Sequence, residues 1–207
     1  MSRPSHSPSH RIRALRRTGS LLAACMALIT VPAFAHGPAR TAKRPDKTAA
    51  PTSPRSALIQ ALAGIDTVPS AAQLRRAVPN NTALQLHRVA LDTRVDGWIR
   101  LRAVSVLPAL GAVSSPHLLA LANTAALPER MRWWAAFGWL RSPVPDAAAV
   151  AQSRLWLASP AWMVREAAVR GLRHRPGKLV SSLLRGALAI ERHATVKAAL
   201  RRVLRGR

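Results

Sequence analysis

The sequence predicts an all-α chain: a solenoid of about four to five stacked helix pairs. Three observations carry that prediction. First, four stretches align without gaps: Ile99–Leu107 (IRLRAVSVL), Met131–Trp139 (MRWWAAFGW), Val164–Leu172 (VREAAVRGL) and Val196–Leu204 (VKAALRRVL). Their basic column, Arg100, Arg132, Arg165 and Lys197, advances in steps of 32, 33 and 32 residues, a period at which stacked helical repeats are built. Second, Val164, Ala168 and Leu172 fall at i, i+4 and i+8, one stripe of an α-helix, with Arg170 and Arg173 turned away from it. Third, the chain from about Ser56 onward is helical in pattern and nearly free of strand signals. A single helix cannot bury its stripe, so the copies must stack. Ala103, Ala135 and Ala168, three places after the basic column, leave room for a neighbouring helix to approach; Leu200 takes that place in the last copy.

The elements follow in order. Ser56–Gly64 predicts a short helix ended by its glycine, and Ser70–Val78 a second, entered through Pro69. Thr82–Leu91 and Gly97–Leu110 form the first clear pair, with Asp96 as N-cap and Gly111 as stop. Pro108 is expected to kink or fray the second of these. Ser115–Ala122 pairs with Pro128–Leu140, ended at Ser142-Pro143-Val144-Pro145. Asp146–Leu157 pairs with Pro160–Arg173, with Ser159 as cap and Pro160 in the first turn. Pro176-Gly177 breaks the chain before the last pair, Leu179–Ile190 and Ala194–Arg205. Connections are short, as antiparallel neighbours require.

The N-terminal region differs. Met1–Ser20 carries five arginines and no acid, and the 15 residues LLAACMALITVPAFA follow it. A basic segment, an apolar run too short to span a bilayer and a small-x-small site at Ala33-Phe34-Ala35 predict a cleaved signal peptide over 1–35. The mature chain then begins at His36, and the protein is exported, periplasmic or secreted. The alternative is a lipoprotein anchored at Cys25, since Leu22-Ala23-Ala24-Cys25 has the form of a lipobox. Residues 36–55, HGPARTAKRPDKTAAPTSPR, have no apolar periodicity and are expected to be a disordered basic linker. Residues 56–207 then form the repeat domain.

Cys25 is the one cysteine, so a chain cut after Ala35 has neither a disulfide nor thiol chemistry. The formal charge is +24, and arginine outnumbers lysine 28 to 4. From Pro160 to Arg207 there are twelve Arg and Lys against two Glu. Arg170 and Arg202 are 32 residues apart, as are Arg173 and Arg205, which places each pair at equivalent positions on neighbouring helices. Such a face suits nucleic acid, anionic glycan or anionic lipid headgroups; a merely solvated basic surface explains the same residues.

Helix pairs whose second helix reads V-R-x-x-A-x-x-x-L resemble HEAT repeats, in particular the short HEAT-like, armadillo-type repeats of bacteria. The resemblance covers roughly Thr82–Leu204. It implies a right-handed α-α superhelix with the second helices on the concave face, and a protein-binding or scaffolding role. It also implies an acid–arginine ladder at Arg100, Arg132, Arg165 and Lys197. The acids that precede the basic column in that family correspond here to Asp96 and Glu129, with Ala161 and His193 in the later units.

Catalytic signals are weak. Seven acids follow Ser56 (Asp66, Asp92, Asp96, Glu129, Asp146, Glu166, Glu191), and most fall where capping or surface pairing explains them. No G-x-S-x-G elbow occurs. His36, His87, His117, His174 and His193 form no H-x-x-x-H or H-E-x-x-H pair, so no metal site is expected; His6 and His10 have that spacing within the leader. Six tryptophans remain, three of them in Trp133-Trp134-Ala135-Ala136-Phe137-Gly138-Trp139. Trp133, Trp134 and Trp139 occupy successive sides of one helix, either filling space beside the alanines or anchoring a partner. The sequence thus implies an exported, non-catalytic scaffold with no cofactor and no small-molecule substrate. Its partner is another protein or, alternatively, an anionic polymer or anionic membrane surface met by Arg170, Arg173, Arg202 and Arg205.

Overall fold

Ser53 opens the first helix. Its hydroxyl accepts from the Ser56 amide at 3.1 Å, and the Ser56 hydroxyl accepts from the Ser53 amide at 3.0 Å. With Pro54 in the first turn, this capping box starts α1 (Pro54–Ala63), which takes in the last two residues of the expected linker. The computed structural model describes residues 53–64 and 67–207. The expected signal peptide, the alternative lipobox and the expected linker up to residue 52 lie outside the described residues.

A second capping box, Ser70 with Gln73, starts α2 (Ala71–Ala77). Then come α3 (Thr82–Leu91), α4 (Gly97–Val106), a 3-10 segment (Leu107–Ser114) and α5 (Ser115–Asn123). α6 (Glu129–Arg141), α7 (Asp146–Leu157), α8 (Trp162–Leu172), α9 (Lys178–Ile190) and α10 (Ala194–Arg205) complete the chain. Among the described residues there is no strand, so this part of the chain is all-α.

Two expected boundaries are corrected. α4 stops at Val106 rather than Leu110, because Pro108 brings no amide to the helix ladder. The tighter 3-10 turns carry on to Ser114, and Gly111, at φ +78°, turns the backbone inside them rather than ending the helix. The run Gly97–Asn123 is apolar and long enough, by length and composition, to cross a bilayer, with mean hydropathy 1.5. Its Ile99, Ala103, Val104, Leu118 and Leu121 are buried against neighbouring helices of this same chain. The other correction is at α8, where Ala161, not Ser159, is the N-cap and the helix begins at Trp162. Arg165 Nη1 donates to the carbonyls of Ser159 (2.8 Å) and Pro160 (3.0 Å), holding those residues outside the helix.

Consecutive helices pack as pairs: α3 on α4, α5 on α6, α7 on α8, α9 on α10. Second helices also touch one another in sequence, α4 on α6, α6 on α8 and α8 on α10, while α3 meets α5 and α7 meets α9. The small column does what its size allows: Ala103, Ala135 and Ala168 are fully buried, as is Leu200. Two glycines tighten the same contacts. A Cβ on Gly138 would sit 2.7 Å from Pro108 Cγ, and one on Gly171 would sit 2.6 Å from Leu140 Cβ. No side chain fits there without moving a helix.

The basic column does not form the expected ladder with acids. Arg100 Nε donates to the Ala90 carbonyl at 3.0 Å, and Arg132 Nε to the Ala122 carbonyl at 3.2 Å. Both acceptors lie near the C-terminus of the preceding helix, where carbonyls lack intrahelical partners. Asp96 and Glu129, exposed at helix starts, pair with neither arginine. Arg165 departs from this pattern and reaches forward, its Nε and Nη2 donating to Glu191 at 2.8 and 3.0 Å. Lys197 is half-buried and makes no side-chain hydrogen bond among the described residues.

Candidate functional site

The second helices carry a row of aromatic rings next to arginines. On α6, Trp133 stacks on Phe137 (centroids 5.1 Å apart, planes at 25°) and meets Trp134 edge-on. These three rings are half-buried. The i, i+4 spacing puts Trp133 and Phe137 one above the other on the helix surface. Three guanidinium groups lie over rings of this layer: Arg102 over Trp98, Arg141 over Phe137 at 5.5 Å, and Arg170 over Trp133 at 5.9 Å.

Trp139 does not belong to this face. It is buried, and its ring meets Trp156 edge-on at 5.4 Å. The expected anchor therefore reduces to Trp133 and Trp134, because Trp139 lies on the side of α6 that faces the first helices. Trp156 in turn donates from Nε1 to Asn123 Oδ1 at 2.8 Å.

Glu166 organises the face. Unlike an acid at a helix start or on an exposed face, it is buried on α8. Its Oε2 accepts from Trp133 Nε1 at 3.0 Å, and its Oε1 accepts from Arg170 Nη2 at 2.7 Å. Both oxygens are thus satisfied, which a buried carboxylate requires. The pair locks Trp133 of one helix to Arg170 of the next. Arg170 is therefore committed to Glu166 and differs from the other three arginines with which it was grouped.

A groove of about 250 Å³ opens beside this cluster, lined by Phe137, Glu166, Arg170, Arg173, His174 and Arg202 among others. It brings together three of the four arginines expected to meet an anionic partner; Arg205, exposed near the end of α10, does not line it. Arg173 also borders a second cavity of about 580 Å³ with Lys178, Arg185 and Arg207. Positive charge is thus concentrated where α8, α9 and α10 meet.

Glu191 stands at the C-terminal end of α9. Its carboxylate accepts from Arg165 and from the amides of Arg192 (3.0 Å) and His193 (2.8 Å). The Arg165 hydrogen bonds hold its pKa down to about 2, against the opposing effect of burial. Arg165 and Glu191 border a cavity of about 590 Å³ whose apolar wall includes Leu157, Leu183 and Ile190. Ile190 is 79% exposed there.

Among the described residues no group of three or more His, Cys, Asp or Glu gathers as a metal site. Two histidines do meet: His87 on α3 and His117 on α5, Nδ1 to Nδ1 at 3.3 Å. Burial holds both below the ordinary histidine range, and the neighbouring His117 lowers His87 further. Their separation of 30 residues, close to the repeat step, was the available sequence signal. His174 meets Phe137 edge-on at 6.4 Å, and His193 stacks flat on Trp162 at 4.4 Å. No family model, no curated protein and no solved structure matches this chain.

Proposed function

We propose that this chain is an exported, HEAT-like binding module: a right-handed α-α superhelix that holds an acidic protein segment on its second-helix face and performs no chemistry itself. The superhelix is supported by the successive contacts of α4, α6, α8 and α10, with α3 on α5 and α7 on α9 beside them. The observation that carries the binding role is the groove of α6, α8 and α10, where Phe137 lies beside Arg170, Arg173 and Arg202. Aromatic and arginine side chains supply most of the energy at protein interfaces, and a planar guanidinium fits a carboxylate through two parallel hydrogen bonds. Glu166 pre-orders the centre of the face, so little side-chain freedom is lost there on binding.

The test is fluorescence anisotropy with a labelled peptide that alternates aspartate or glutamate with apolar residues. Binding that falls at least tenfold in Arg173→Gln/Arg202→Gln, with helical circular dichroism unchanged, supports the reading. Equal binding by the double variant overturns it.

A second reading, an anionic-polymer binder, is favoured by Arg173, Lys178 and Arg185, whose charges face the basic cavity beside α9. With Arg170 held by Glu166, three rather than four of the grouped arginines release counterions. The log–log salt slope on duplex DNA is then roughly −2.7. Sequence-independent binding with that slope, together with no peptide binding, would select this reading. Export rests on the leader at 1–35: N-terminal sequencing of native protein is expected to begin at His36, and an acylated Cys25 start would make it a lipoprotein.

A further inference from the structure

His87 and His117 come from different helix pairs, yet their Nδ1 atoms stand 3.3 Å apart and their ring centroids 5.1 Å apart. Two zinc–imidazole bonds of about 2.0–2.1 Å at a tetrahedral angle span about 3.3–3.4 Å between the nitrogens. The separation is therefore the bite of a chelate. We propose that His87 and His117 form a two-imidazole site for a divalent transition-metal ion of the zinc, copper or nickel type, which staples α3 to α5.

Four observations support the site. Both rings are half-buried, so they are ordered by packing and still reachable from solvent. Their planes are inclined at 44° rather than stacked, which leaves both Nδ1 lone pairs able to converge with a modest turn of each ring. A cavity of about 290 Å³ borders His117 and leaves room for the water ligands that complete the coordination shell. Among the described residues no carboxylate is bonded to either ring, so the ligand set is nitrogen-only, which suits zinc, copper and nickel and disfavours calcium and magnesium. The structural consequence follows from position. α3 and α5 are neighbouring first helices in contact, and a metal bridging them ties two successive units together without touching the second-helix face. The site is therefore independent of the binding role proposed above.

The test uses the full chain with His6, His10 and His36 replaced by glutamine, stripped with EDTA and redialysed, with zinc chloride as the probe. One zinc per chain is expected. At a free concentration about 100-fold above Kd, the melting midpoint should rise by roughly 5–10 °C. His87→Gln and His117→Gln should each weaken zinc binding at least about tenfold, because a chelate becomes a single bond, and should abolish the rise in midpoint. Binding unchanged in both variants, or no zinc-dependent rise in the parent, would reduce the pair to a histidine–histidine hydrogen bond and overturn the proposal. Should either variant fold poorly, copper(II) added to the parent decides through electron paramagnetic resonance. Coupling to two equivalent nitrogens supports the site, and a spectrum of oxygen ligands alone overturns it.

Discussion

Arg175 and Arg207 make the same contact one unit apart: Arg175 Nε donates to the Leu140 carbonyl at 2.9 Å, and Arg207 Nη2 to the Leu172 carbonyl at 2.6 Å, 35 residues back in both cases. Leu140 and Leu172 lie at the ends of α6 and α8, where carbonyls have no partner within the helix. Arg175 goes further, donating also to the carbonyls of Ser142 and Val144 and to Asp146. Together with Arg100 and Arg132, this arrangement gives four of the arginines a structural role at helix ends. A five-donor planar fork closes several carbonyls at once, and a lysine cannot.

Arg175→Ala should therefore destabilise more than removal of an exposed arginine would. Its side chain is 11% exposed, and removing it leaves three carbonyls and the α6–α7 turn without their donor. A loss of about 2–4 kcal/mol is expected by denaturant titration. Arg175→Lys should recover less than half. A midpoint equal to the parent's would show that water replaces the fork at no cost.

Gly171 and Gly186 offer a matched pair. A methyl group on Gly171 meets Leu140 at 2.6 Å, whereas one on Gly186 meets nothing within 4 Å. Gly171→Ala is expected to cost about 1–3 kcal/mol through overpacking of α6 against α8. Gly186→Ala, on the exposed side of α9, should stabilise by roughly 0.5–1 kcal/mol through helix propensity. Ala168→Arg, fully buried in the α8 contacts, should be worse than either. The order of the three thermal midpoints is the readout.

Acid sensitivity should reside partly in Glu191. Its pKa is lowered from the ordinary 4.5 to about 2 by the Arg165 hydrogen bonds. A carboxylate lower in the folded chain than in the unfolded one stabilises the fold at neutral pH. That contribution is complete above about 4.5 and is lost as pH falls toward 2. It is on the order of 2 kcal/mol. In Glu191→Gln the stability difference from the parent should be large at pH 7 and shrink below pH 3, where the parent's carboxylate also becomes neutral. A constant difference across that range would remove Glu191 from the account.

Glu166 separates two functions of one side chain. Glu166→Gln keeps an oxygen for Trp133 Nε1 and should cost under about 1 kcal/mol, since the exposed Arg170 returns to water. Glu166→Leu leaves the indole N–H without its partner and should cost about 1–3 kcal/mol. It should also alter tryptophan emission, because the Trp133 ring loses its anchor. Identical behaviour of the two variants would mean that the indole hydrogen bond contributes nothing.

By itself the sequence determined the helices and their repeat. Thr82–Leu91, Asp146–Leu157 and Ala194–Arg205 stand at their expected bounds, because apolar spacing, caps and proline breaks are local and act through the backbone of the segment that carries them. The buried alanine column was legible for a related reason: residue size at a fixed repeat position limits how closely any neighbour can pack. What only the tertiary structure decided was the destination of long polar side chains. Arg165 reaching Glu191, Arg175 closing the turn after α6, Glu166 holding Trp133 and His87 meeting His117 all depend on which atoms a neighbouring helix presents several ångströms away. Arginine and tryptophan look alike in a sequence whether they bind a partner, cap a carbonyl or fill the core. Trp139 in the interior and Trp133 on the face differ by six positions on one helix, and the packing of α6 against its neighbours on two sides decides which ring meets solvent.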